Sequence, residues 1–218
     1  MNASARRQQH KAELRAHILA AAREIFVRDG YESFSMRKLA QRIEYSPGSI
    51  YLHFHNKEEL FESLVEESFE RLLKALNRLK NGSAQEDSVP TLKKALRAYI
   101  EFGLRNPNDY RFAFLLRRPL QRRPYKVHPA FDVMRYLVGR CVEERRFRAV
   151  DVETTSQALW AAIHGITSLL IQRPTFPWVA RKQLSDQVIN NAVDSLLARP
   201  DGEAESGAGA HHAQLGRD

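Results

Sequence analysis

The run SPGSIYLHFHNKEELF, Ser46 to Phe61, crowds a Ser-Pro pair, a second serine, a tyrosine, two histidines and a lysine into a few helical turns. Ser46 can cap a helix whose first position is Pro47, where the missing proline N–H costs nothing. Polar groups of such varied reach on one short helix suit a metal site, an active site, or a surface that touches something outside the protein. Metal fits poorly: His53 and His55 are two residues apart, hence on different faces of a helix, and no Cys or carboxylate cluster completes a ligand set. No metal and no other cofactor is expected.

Working outward, Leu14, Ile18, Ala22, Ile25 and Phe26 recur at three- and four-residue intervals. That period predicts an amphipathic helix from about Lys11 to Asp29, ended by Gly30 in the left-handed position. Ser35 can cap a second, short helix, SMRKLAQRI, with Leu39, Ala40 and Ile43 turned inward. Two short helices joined by a tight turn and buttressed by a longer first one form a helix-turn-helix, whose second helix enters the DNA major groove. The helix from Ser46 suits that task. Ser46 and Ser49 are short hydroxyls, Gly48 leaves the backbone bare, Tyr51 and His53 reach further, and Arg37 and Lys57 flank them as phosphate partners. Two plainer readings stand beside this one: Tyr51 as a core anchor and Lys57 as a solvated lysine.

Charge points the same way. The formal net charge is +8 and the isoelectric point near 9.8. Residues 1–57 hold ten Lys and Arg against five acids, whereas residues 201–218 are acidic on balance. A basic front favours an anionic partner.

Beyond Phe61 the spacing stays helical. Helices are expected over about Asn56–Lys80, Pro90–Arg105, Pro107–Leu116, Pro129–Phe147, Asp151–Gln172 and Val179–Arg199, with a loop at NGSAQEDS, Asn81 to Ser88. No segment alternates with the two-residue period of a strand. The fold class is therefore all-α, about nine helices: a helix-turn-helix unit over residues 1–57, a bundle over 58–200, and a small, polar, disordered tail over 201–218. No apolar run approaches a membrane span or a signal peptide, and the single cysteine, Cys141, fits a reducing compartment, so no membrane partner and a cytoplasmic location are expected. No Gly-rich phosphate loop or suggestive carboxylate pair appears, which speaks against an enzyme.

Taken together, the motifs from Ile18 to Phe61 resemble the tetracycline-repressor (TetR) family of bacterial transcriptional regulators. Ala22–Phe26–Gly30–Tyr31 match its first helix and Leu39–Ala40 its second. Ser46–Gly48–Ile50–Tyr51–His53–Phe54–Asn56–Lys57–Glu58–Leu60 match its third helix and the start of its fourth. The resemblance implies that Arg37, Ser46, Pro47, Gly48, Ser49, Tyr51, His53 and Lys57 meet DNA, with Phe54 and Leu60 in the core. One departure is Glu44, at the turn where the family usually has glycine; a left-handed residue there is strained on the order of 1 kcal/mol.

The rear of the chain is rich in aromatics, which at helical spacing pack cores more often than they line ligand sites. YIEFGLRNPNDYRFAFLL and ALWAAIHGITSLL resemble a TetR C-terminal subtype marked by a Trp and a His-Gly, with Gly165 admitting a neighbouring helix. That resemblance implies a homodimer joined through the last two helices. It also implies a small-molecule effector pocket, for which Tyr99, Phe102, Phe112, Leu116, Met134, Trp160 and His164 are the candidates. His164 reads equally as a core histidine bonded to a backbone carbonyl. The basic run RRPLQRRPYK, Arg117 to Lys126, reads as a solvated loop, a mouth for an anionic effector, or an extra contact to the DNA backbone. The expected function is a repressor released from a near-palindromic operator by its effector; the alternative is a DNA-binding regulatory or architectural protein without one.

Overall fold

The structure is a computed structural model that describes residues 3–82, 86–116 and 127–198. The expected tail and the basic run Arg117 to Lys126 lie outside the described residues. Among those described, the chain forms nine α-helices and no sheet: α1 Ala3–Asp29, α2 Met36–Ile43, α3 Pro47–Tyr51, α4 Lys57–Gly82, α5 Ser88–Arg105, α6 Pro107–Tyr110, α7 Pro129–Glu143, α8 Val152–Gln172 and α9 Arg181–Asp194.

Local chemistry sets the front boundaries. Gly30 takes φ +78° and its N–H bonds the Phe26 carbonyl at 2.9 Å, closing α1. The Ser35 hydroxyl accepts from the Lys38 N–H at 3.2 Å and starts α2. Glu44 ends it at φ 58°, ψ 35°, so the turn keeps its left-handed residue despite the missing glycine. Asn56 caps α4 by accepting the Glu59 N–H at 2.8 Å. The long connection expected before α5 narrows, because α4 continues to Gly82 and Asp87 caps a helix starting at Ser88.

Two corrections follow at the rear. α7 stops at Glu143, short of the expected Phe147, since Arg145 turns to φ 55° and redirects the chain. Phe147 then pairs with Leu197 in an isolated antiparallel bridge, which also stops α9 at Asp194. The other concerns the close helix crossing. Nothing lies within 4 Å of the place a Cβ on Gly165 would take, whereas one on Gly103 would stand 2.5 Å from Thr167 Cγ2 and 2.7 Å from Tyr110 Cδ2. The intimate approach within the chain is at Gly103 of α5.

The buried side chains form two clusters. The front one gathers Ile18, Ala22, Ile25 and Phe26 of α1, Leu39 and Ile43 of α2, Ile50 of α3, Phe54, and α4 as far as Phe69. The rear one surrounds α5, which packs against α4, α7, α8 and α9. α4 belongs to both. A π-helical turn, Arg111–Leu115, continues α6 and sends Phe112 forward, into contact with the rings of Phe26 and Phe61 at 5.9 and 5.5 Å.

Candidate nucleic-acid interface and ligand cavity

The front surface is built by anchoring a short helix from beneath. Ile50 and Phe54 are fully buried in the front cluster, which holds α3 against α2 while its other face stays open. Ser46 Oγ accepts the Ser49 N–H at 3.2 Å and lies 2.9 Å from Ser49 Oγ, so the two serines hold each other as the helix begins. A Cβ on Gly48 would meet only Ser46 Oγ, at 3.7 Å, so internal packing does not require glycine there. Tyr51 is half exposed, which removes the core-anchor reading, and Leu52 is 80% exposed. Ser46, Pro47 and Gly48 are exposed, Ser49 and His53 partly so, and Arg37 stands exposed on α2.

Lys57 is not simply solvated. Its ammonium lies 4.4 Å from the centre of the Tyr31 ring, and the Tyr31 hydroxyl donates to Glu58 at 2.8 Å. A cation at a helix N-terminus opposes the helix dipole, and the aromatic face offsets that cost. His53 faces Lys11 and Arg15 of α1; burial first, then those two cations, hold its imidazole below the ordinary value. His55 Nδ1 is 2.8 Å from Glu59 Oε2. Among the described residues no group of three or more His, Cys, Asp or Glu gathers to hold a metal ion.

Inside the rear bundle lies a cavity of about 690 Å³ between α4, α5, α7 and α8. Phe69, Tyr99, Phe114, Phe131 and Trp160 give it aromatic walls; Glu153, Thr154 and Gln157 of α8 add polar groups. Volume and lining both suit a small, mostly apolar molecule. Of the seven residues put forward from sequence, Tyr99, Met134 and Trp160 line it. The other four do not. Phe112 is fully buried in the front cluster, against Phe26 and Phe61, and Leu116 packs beside it. Phe102 is absorbed in the rear core, and His164 sits behind the wall. Phe69, Leu72, Leu76 and Phe131 also line it, and helical periodicity does not separate a packed face from the wall of a cavity.

His164 belongs to a chain of polar groups running away from the cavity. The Trp160 indole N–H donates to the Tyr99 hydroxyl at 3.3 Å, which donates to Tyr110 at 3.3 Å. The Tyr110 hydroxyl lies 2.7 Å from His164 Nδ1 and 3.2 Å from its carbonyl oxygen. Burial pushes the Tyr99 phenol up to about 12, raises Tyr110 further, and lowers His164, so all three stay neutral. Next to Tyr110, the buried Asp109 carboxylate accepts from Arg71 of α4 at 2.6 Å and pairs with Arg23 of α1. Glu67 bonds Arg23 at 2.9 Å and Arg71 at 3.4 Å. The cavity wall is thus linked through α6 to the helix that backs the front unit.

A helix-turn-helix unit riding on an all-α bundle with an internal cavity is the architecture of a class of bacterial DNA-binding regulators. Residues 18–64 match the model of the bacterial regulatory proteins of the tetR family, and residues 92–196 that of the tetracyclin repressor-like C-terminal domain. The chain belongs to the TetR family. The second match holds at the level of that domain and does not resolve a subtype marked by Trp160 and His164.

The chain is 30% identical over 102 residues to the HTH-type transcriptional regulator YfiR of Bacillus subtilis, covering 47% of this chain and 48% of that one. It is 34% identical over 109 residues to an HTH-type transcriptional repressor of Mycobacterium tuberculosis, covering 47% of this chain and 57% of that one. The matched part thus spans about half the length of these relatives. A tetR-family regulatory protein from Rhodococcus RHA1 shares the fold with a TM-score of 0.65 at 18% identity, covering 85% of this chain and 98% of the other. No helix among the described residues is long and apolar enough to cross a membrane.

Proposed function

We propose that the chain is a homodimeric, sequence-specific DNA-binding transcriptional regulator, a repressor released from its operator by a small apolar effector. The observation that carries this reading is α3: a capped, five-residue helix fixed by Ile50 and Phe54, with Ser46, Gly48 and Tyr51 turned outward. Pro47, Gly48 and Ser49 face base edges, while Arg37, Ser46, Tyr51, His53 and Lys57 bond the phosphates beside them. In this division of labour residues 1–57 read DNA and residues 58–200 bind the effector and the partner subunit. The open surface of α8 at Gly165, with Leu169 exposed one turn further along the helix, supports a partner helix there. The cavity favours an effector over a purely architectural role, because a cleft of that size with aromatic and apolar walls suits a small apolar molecule. An effector that binds one head spacing better than the other shifts the population off the operator.

The test is selection of duplexes from a random pool by the full chain. The expected product is an inverted repeat whose half-sites lie roughly 34–36 Å apart. Ser49→Ala should change the preference at one or two base pairs more than overall affinity. A pool that yields no enriched repeat refutes the reading. For the effector, a small-molecule panel should contain apolar compounds that raise the thermal midpoint of the wild type and not of Trp160→Ala.

A further inference from the structure

The first helix is longer than its core needs. Hydrophobic spacing begins at Leu14, yet α1 starts at Ala3, and residues 4–13 are all exposed. Alanines are the only apolar residues in that stretch, so it offers no apolar stripe for a bilayer or a protein groove. What it carries is charge. Arg7, Lys11 and Arg15 follow one another at four-residue spacing and so share one face of the helix, a stripe about 12 Å long at 1.5 Å per residue.

The lower end of that stripe stands beside the segment that follows the reading helix. The Arg15 guanidinium lies 4.9 Å from the centre of the Phe54 ring, and one of its nitrogens is 3.5 Å from Ser63 Oγ. Two residues further on, the His17 ring meets Tyr45, in the turn before α3, edge-on at 6.4 Å. His53, near the end of the reading helix, sits among Lys11 and Arg15. The row of cations therefore begins beside the residues that flank α3 and continues towards the start of α1.

We infer that the α1 extension is a second DNA-contacting element, in which Arg7 and Lys11 bond the phosphate backbone flanking the groove entered by α3. This rests on the groove-reading role proposed above and extends its footprint. The contacts carry no base preference, since an exposed arginine and lysine one helical turn apart meet phosphates that every sequence presents.

The experiment compares the full-length wild type, Arg7→Ala/Lys11→Ala, and the control Lys94→Ala/Arg135→Ala, which removes the same charge from exposed positions on α5 and α7. Affinity for a duplex recovered from the random pool, and for a random duplex of equal length, is followed from low to moderate KCl. Each lost phosphate contact reduces the slope of log K against log salt by about 0.9, so the double variant should lose about 1.8 per subunit on both duplexes, with base preference unchanged. Circular dichroism should match the wild type in both variants, since Arg7 and Lys11 are exposed and the pairs lost in the control, Lys94 with Glu86 and Arg135 with Asp132 and Glu153, join surface groups that contribute little to stability. A slope that stays at the wild-type value, or an equal fall in the control, overturns the inference while leaving groove reading intact. If the wild type binds duplexes without selectivity, groove reading fails and the slope on random duplex still judges the arm. If it binds no duplex at all, both fall.

Discussion

Asp109 is the place where one atom-scale change should be felt by the whole chain. Its carboxylate is 5% exposed, on α6, and it pairs with Arg23 of α1, itself 14% exposed, and with Arg71 of α4. Asp109→Asn keeps the volume and removes the charge. Breaking a buried pair from one side costs about 3–5 kcal/mol, because the abandoned charge stays desolvated. Two features reduce that here: Glu67 remains 2.9 Å from Arg23, and Arg71 is about half exposed. A loss of about 2–3 kcal/mol is the expectation, just below the range for a fully buried pair.

For a chain of this length each kcal/mol moves the thermal midpoint by roughly 2–4 °C, so Asp109→Asn should lower it by about 4–12 °C at fixed protein concentration. The sharper assay is a double-mutant cycle in urea with Arg23→Met and Asp109→Leu. Removing both partners should cost less than the sum of the single losses by more than about 1 kcal/mol. Additive losses, within about 0.5 kcal/mol, would show that Arg23 and Asp109 do not hold each other and that α6 is tied to α1 by Phe112 alone.

Gly103→Ala puts a methyl group where Thr167 and Tyr110 already stand, and neither is a loose surface chain, so a loss of about 1–3 kcal/mol in urea unfolding is expected; an unchanged midpoint would mean α5 and α8 separate freely. Gly165→Leu meets no neighbour within the subunit at its Cβ, so the subunit should keep its helical signal while sedimentation shows monomer; a persistent dimer would move the partner contact off α8. The imidazole of His164 is lowered by burial, hence neutral when folded, while the unfolded chain takes up a proton near pH 6.5. Stability should fall as pH drops below about 6.5, and His164→Gln should flatten that fall; an identical pH profile would show the ring is already solvated.

The front unit was legible because its rules are local. Caps at Ser35, Ser46 and Asn56 and the terminator Gly30 act within a turn or two of the residues that declare them. Even the turn at Glu44 kept its left-handed geometry without glycine, since α2 and α3 dictate it from both sides. The rear was legible as helices and not as a site. Phe112 and Phe114 are two residues apart in one aromatic run, yet one is buried against Phe26 and the other lines the cavity. Which face goes where depends on the angle at which α6 meets α1 and α4, a tertiary quantity that no spacing encodes. Gly165 misled for a related reason: a glycine on a helix permits a close approach but does not require one.

The position of that aromatic run bears on how the proposed effector would act on the front unit. A ligand in the cavity touches Tyr99, Phe114 and Trp160 directly. Tyr99 is bonded to Tyr110, whose neighbour Asp109 grips Arg23, and Phe112 inserts among the rings of the front core. Apolar packing alone would let α6 slide by small amounts, since contact energy varies gently with displacement. The ion pair is less forgiving, because a carboxylate leaving buried guanidinium groups loses its partners over a short distance. A ligand that shifts Phe114 therefore either leaves α6 seated or unseats it. Tyr110→Phe separates the two parts: it removes the bonds to Tyr99 and His164 while keeping the ring and the Asp109 pairs. Such a variant should still take an apolar ligand into the cavity and release DNA poorly when it does. Release as complete as in the wild type would assign the coupling to packing around Phe114 instead of the hydroxyl chain.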